Sequence, residues 1–253
     1  LRAENIGGNV LFEDKEVFLF DLDGTLLSIE AEEFLKYYFG ALSADFEDLC
    51  ADQEQFVKLL MASTEKMIRN DGSRSNQEAF MEAFMEKMEI KNQAEAKKIK
   101  ERFDQFYQSK FTALDKYFDL DRETPAEIIK HLKNQGKKLV LATNPLFPKE
   151  AVAARLSWIG IEAEDFELLT HYENMSYAKP NPNYYREILE KIDADPDNCL
   201  MIGNDLKEDA VASELGIKTL IISDKLIERE DSSYPVAWQG SLKEFKELIK
   251  EEI

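Results

Sequence analysis

Four apolar residues in a row, Val17-Phe18-Leu19-Phe20, run directly into two carboxylates, a glycine and a threonine: Asp21-Leu22-Asp23-Gly24-Thr25. A short apolar run closed by a turn signal is the pattern of a strand buried on both faces, as in a parallel sheet with helices on either side. In open α/β sheets, ligands bind in the crevice beyond the carboxyl ends of the strands, where this run places its acids. With one residue between them, Asp21 and Asp23 project to the same side if extended geometry persists, while Leu22 turns away. Two neighbouring carboxylates at a strand tip invite a divalent cation. Gly24 suits a backbone angle that other residues rarely adopt.

After Leu27 the pattern becomes helical for nearly ninety residues. A first helix opens near Glu30. Ser43-Ala44-Asp45 reads as the start of a second, which carries Phe56, Leu59, Leu60, Ser63 and Met67 at three- and four-residue steps. Ser75 and Glu78 form a capping box ahead of Phe80, Phe84 and Met88, and residues 92–110 supply a fourth helix with Ile99, Phe103, Phe106 and Tyr107 on one stripe. No β-branched strand run interrupts this block, so it reads as a small helical bundle placed between the first strand and the rest. Its aromatic and Met stripes read as bundle core.

Alternation of strand and helix resumes near Asp119. Thr124-Pro125-Ala126-Glu127 reads as an N-cap, a proline at the first helical position and a capping-box acid, and that helix stops at Gly136. Strands are expected over residues 137–143, 166–170, 200–205 and 218–222, and helices over 149–158, 183–192 and 207–215. Residues 9–16 alternate loosely ahead of the first strand. The pattern is α/β, a doubly wound parallel sheet with an inserted all-helical unit. The division it implies is 1–28 and 119–253 for the Rossmann-like core and 29–118 for the helical unit.

At 253 residues the chain can bury a sizeable core, and no apolar run approaches the roughly 20 residues needed to cross a bilayer. The start lacks the basic-then-apolar layout of a signal peptide and lacks Met, so the expectation is a cytoplasmic protein whose natural start lies elsewhere. Cys50 and Cys199 stand far apart without CxxC spacing and read as reduced packing thiols. A net charge of −19 argues against a nucleic-acid or anionic-membrane partner, since both need clustered positive charge. Screening over about 8 Å at physiological salt leaves anion binding to the local site, which must supply its own cations. A monomer is the default assembly.

Four clusters stand at expected strand ends, in order: Asp21-Leu22-Asp23-Gly24-Thr25; Thr143-Asn144-Pro145; Lys179 in Ala178-Lys179-Pro180; and Asp205 with Asp209 in Gly203-Asn204-Asp205-Leu206-Lys207-Glu208-Asp209. Taken singly, each has an ordinary reading as a strand exit, a surface lysine or a helix start favoured by the dipole. Together they resemble the four motifs of the haloacid dehalogenase superfamily, whose first signature is DxDGT and most of whose members are magnesium-dependent phosphatases. The helical insert resembles that superfamily's cap domain. Asn204 departs from the pattern, since many relatives carry glycine or a second acid there.

The resemblance implies hydrolysis of a small phosphorylated metabolite through an aspartyl-phosphate. Asp21 would be nucleophile and Asp23 acid and base. Thr143, Asn144 and Lys179 would hold the phosphoryl group. Mg2+ would be held by Asp21, Asp205 and the main chain of Asp23, and Asp209 would orient Lys179 or a metal-bound water. A dianionic monoester repels an attacking carboxylate, so a hard cation and a lysine must neutralise charge as the two approach. Two alternatives stay open at this point: a phosphomutase of the same superfamily, and a catalytically silent binding protein on the same fold. Dehalogenation is disfavoured because Asp23 is present. His131 and His171 lie outside the motifs and read as structural or surface residues.

Overall fold

The structure is a computed structural model describing residues 9–50, 52–229 and 233–253. Its centre is β1 (Val17–Phe20), flanked by two strands in parallel: β2 (Lys138–Leu141), with Phe20 beside Leu141, and β4 (Cys199–Gly203), with Phe20 beside Ile202. With β3 (Leu168–Leu169), β5 (Lys218–Ile222) and β6 (Trp238–Gly240), the order is β3-β2-β1-β4-β5-β6, every pair parallel. The order reverses between β1 and β4, so the crevice of a doubly wound sheet opens beyond Phe20 and Gly203.

Both faces are covered, which is why the central strands β1 and β4 are apolar throughout. Phe18, Phe20, Leu139, Leu141, Leu200 and Ile202 point into one core and Val17, Leu19, Val140, Cys199 and Met201 into the other, the two-residue alternation of a pleated strand. The first core is closed by α6 (Glu123–Asn134), α7 (Lys149–Trp158) and α9 (Leu242–Glu252), and the second by α8 (Pro182–Ile192) and a 3₁₀ turn over Ala210–Leu215.

After the short α1 (Asn9–Phe12) and β1, the chain runs through α2 (Ala31–Asp45), α3 (Gln53–Ile68), α4 (Asn76–Lys87), α5 (Gln93–Gln108) and a 3₁₀ segment, Phe111–Tyr117, before returning to α6. Among the described residues no strand falls in that interval. Its interior is aromatic: Phe46 lies 4.6 Å from Phe103, ring centre to ring centre, with Phe56 and Phe84 against them. This interior is continuous with the first core of the sheet.

Several local expectations change. Ser43, Ala44 and Asp45 end α2 and do not start α3; the cap of α3 is Asp52, which accepts from the amides of Glu54 and Gln55. Ser75 and Glu78 do form the capping box of α4. At α6 the amides of Glu123 and Thr124 are capped by Asp121, while Glu127 turns to Lys246 and Lys250. The segment after Asp209, expected as a helix over 207–215, is a 3₁₀ turn over Ala210–Leu215. β6 and α9 extend the alternation beyond the expected five strands, with α9 opened by a Ser241–Glu244 capping box. No helix among the described residues is long and apolar enough to cross a membrane.

Candidate active site

Asp21 lies one residue beyond β1, and its amide donates to the Ile202 carbonyl at 2.8 Å, so the β1–β4 ladder still holds the backbone there. The chain then turns back, with Gly24 NH donating to Leu27 and Leu27 NH to Leu22, both at 2.8 Å. Gly24 sits at φ +81°, and a Cβ on it would fall 2.2 Å from the Asn204 amide nitrogen, so conformation and space both demand glycine. Asn204 closes the turn from the β4 side: its Oδ1 accepts from the Thr25 hydroxyl at 3.2 Å and its Nδ2 donates to the Lys225 carbonyl at 2.6 Å. Its side chain is thus committed to joining the two strand tips.

Lys179 enters from the loop before α8, its ammonium 2.8 Å from Asp21 Oδ1 and 2.6 Å from Asp209 Oδ1, with 1% of the side chain exposed. The ring of Tyr184 lies 5.8 Å from that nitrogen, and its hydroxyl donates to the Thr143 carbonyl. The other Asp209 oxygen accepts from the amides of Asn204 and Asp205, at 2.8 and 2.9 Å. Asp209 therefore fixes the lysine and the β4 tip together. Gly203 permits this approach, because a Cβ there would lie 2.1 Å from Asp209 Oδ2.

Burial pushes the Asp21 carboxyl up to about 8; Lys179 opposes the rise and Asp209 adds to it. Burial pulls the Lys179 ammonium down, but Asp209 and Asp21 outweigh that and hold it well above its ordinary value. One cation thus serves two buried carboxylates, and a second positive charge would complete the balance.

Asp205 supplies the place for it. Its Oδ1 accepts from the amides of Lys207 and Glu208, and its Oδ2 faces outward, where Arg229 donates to it through Nη2 at 2.7 Å and Nε at 3.1 Å. Among the described residues the hydrogen-bond partner of Asp21 Oδ2 is the Thr25 hydroxyl, at 3.4 Å, and the Asp23 carbonyl accepts no backbone bond. No group of three or more acidic, histidine or cysteine side chains is gathered as a metal cage among those residues. Carboxylate and carbonyl oxygens are hard donors of the kind that suit a small divalent cation, and on Asp205 the positive charge present is that of Arg229.

Thr143 follows β2 and is buried; its hydroxyl makes no hydrogen bond to protein among the described residues. Asn144 stands beside it, but its side chain is bound at both ends, Oδ1 accepting from the Lys179 amide at 3.2 Å and Nδ2 donating to Glu208 at 3.0 Å. Each end of that side chain thus has one protein partner, with one N–H and one lone pair to spare. Asp23, nearly half exposed, turns its carboxylate away from Lys179 and onto Arg155. The two acids of the first motif thus have different cationic partners, Lys179 for Asp21 and Arg155 for Asp23. Of the histidines, His171 pairs with Glu173 outside the site.

Arg155, Arg229, Glu208 and Tyr184 escape a motif-based reading. Only Arg155 leaves a trace in the sequence, as a lone charge among Ala151, Val152, Ala154, Leu156 and Trp158 on a helix buried nearly all round.

A stretch of 101 residues is 28% identical to pyrophosphatase PpaX of Bacillus cereus, covering 40% of this chain and 45% of that protein, so the match spans less than half of this relative. In fold, the chain is similar to a HAD phosphatase from Thermococcus onnurineus, with a TM-score of 0.59 at 15% identity over 94% of this chain and 99% of that one. It is similar also to a predicted phosphoglycolate phosphatase from Haemophilus somnus, with a TM-score of 0.57 at 18% identity over 93% and 98%. The haloacid dehalogenase-like hydrolase model matches residues 15–225, an interval that holds all four clusters, and the chain belongs to that family.

Proposed function

We propose that this chain is a magnesium-dependent phosphatase that hydrolyses a small-molecule phosphate monoester through an aspartyl-phosphate on Asp21. The observation that carries this reading is the buried Asp21–Lys179–Asp209 arrangement at the reversal point of the sheet. It sets a carboxylate beside a fixed cation, with the Thr143 hydroxyl nearby, and a phosphoryl group needs these partners in one place. Asp21, Asp205 and the Asp23 carbonyl would hold Mg2+ in place of the Arg229 contact on Asp205, and the bound ion would favour the ionised nucleophile and shield the charge of the incoming phosphate.

In the first half-reaction a carboxylate oxygen of Asp21 forms the bond to phosphorus as the ester oxygen leaves, and Asp23 gives that oxygen a proton. Lys179 holds a phosphoryl oxygen, with the Thr143 hydroxyl and the Asn144 main chain on others. In the second, water attacks phosphorus, Asp23 takes its proton, and the bond to Asp21 breaks. Asp209 acts on Lys179. We read 1–28 and 119–253 as the catalytic core and 29–118 as a cap over the leaving-group side. A cytoplasmic setting accords with two free cysteines.

The test is phosphate release from a panel of sugar phosphates, mononucleotides, phosphorylated carboxylic acids and inorganic pyrophosphate, with and without Mg2+. Release from at least one monoester that requires Mg2+ is expected. Silence across the panel, or release indifferent to chelator, would overturn the reading.

A further inference from the structure

The guanidinium of Arg155 is the largest fully buried side chain in the described structure. Its Nη1 donates to Asp23 Oδ2 at 2.5 Å and its Nε to the Ala151 carbonyl one helical turn back, at 3.3 Å. Its plane sits over the ring of Phe147, with the central carbon 4.6 Å from the ring centre, and 5.8 Å from that of Phe34. Phe147 belongs to the α/β body and Phe34 to α2, and the two rings meet edge to face at 5.8 Å. Nη2 is buried and has no hydrogen-bond partner among the described residues.

Stability does not account for this arrangement. A buried charge is costly unless fully paired, and an apolar side chain of similar volume often serves a core as well or better. Here the whole Nη2 NH2 group, two N–H donors, goes unpaired among the described residues, and the partner carboxylate is almost half exposed, where water could solvate it unaided. What the arginine does achieve is geometric: it holds a surface carboxylate by one oxygen from beneath.

We propose that Arg155 is the positioning residue for Asp23, an inference that rests on the phosphatase reading of the site. It fixes Asp23 through Oδ2 and leaves Oδ1 to meet the leaving oxygen. Because Phe34 forms one wall of the guanidinium's box, the placement of Asp23 depends on how α2 docks against the sheet.

The experiment compares wild type with Arg155→Met and Arg155→Lys on an alkyl and an aryl phosphate, with Asp23→Asn as the reference background. A misplaced acid hurts most where the leaving oxygen needs its proton. Arg155→Met should lose about 10²-fold in kcat on the alkyl ester and only a few-fold on the aryl ester, with KM little changed. It should keep the wild-type melting temperature and add nothing in the Asp23→Asn background. Arg155→Lys should recover part of the loss. Equal losses on both esters, or additivity with Asp23→Asn, would overturn the proposal. If the wild type turns over neither ester, the phosphatase reading falls, and crystals of wild type and Arg155→Met decide the inference separately. Asp23 should hold one conformer in the first and several in the second, and an unchanged single conformer would refute the positioning role.

Discussion

Asp21→Asn is expected to abolish turnover, by roughly 10⁴-fold or more, while leaving the fold intact. The amide keeps the shape of the carboxylate but cannot attack phosphorus. The stability arm follows from the direction of the carboxyl's shift. The folded chain holds Asp21 protonated up to about 8, against an ordinary 3.8, so it binds a proton that the unfolded chain has released between those values. Stability therefore falls as pH rises through that window, and the penalty is complete above it. Asparagine carries no such penalty. Without divalent cation at about pH 8, the variant should melt no lower than wild type. A variant that melts well below wild type, or one that turns over at the wild-type rate, would contradict this account of the residue.

Lys179→Met should instead damage stability and activity together. It leaves Asp21 and Asp209 buried without the ammonium that both now contact. Breaking a buried ion cluster from one side costs about 3–5 kcal/mol, which urea denaturation of the cation-free protein would resolve. Without the opposing pull of Lys179 the Asp21 carboxyl rises further, so the window of lost stability extends upward. The deficit relative to wild type should be larger at about pH 9 than at about pH 5. Turnover should fall by about 10²–10³-fold or more, the scale of losing one fixed charge partner in a closed site. A deficit that is absent, or that shrinks as pH rises, would show that the lysine is not the charge on which the two acids depend.

The parts of this site legible in the sequence are those carried by local pattern. The apolar run at 17–20 ends in Asp21, and the run at 199–203 ends in Asn204 and Asp205. In both cases a strand buried on two faces leaves nothing polar until its tip, so the boundary marks the chemistry. Gly24 is readable for the same local reason. Partners joined only by folding are not readable: Arg155 and Asp23 are separated by 132 positions, and Arg229 reaches Asp205 across β5. A lone arginine on an apolar helix says that a partner exists without saying which one. The same holds for Asn144, whose side chain joins Lys179 and Glu208, partners 35 and 64 positions away that no local pattern names. Among the elements, β6 is three residues long at a sheet edge and too short for periodicity to reveal, whereas the Ser241–Glu244 capping box of α9 is written in the sequence, beyond the last expected strand.

The central claim is that Asp21 carries the phosphoryl group. It is tested most directly by acid-quenching the protein during turnover of a phosphomonoester labelled in its phosphoryl group and mapping the adduct by mass spectrometry after borohydride reduction. One acyl-phosphate, labile to hydroxylamine, is expected on Asp21, present within the first turnover and missing from Asp21→Asn. Turnover with no labelled protein at any quench time, or label on another residue, would contradict it.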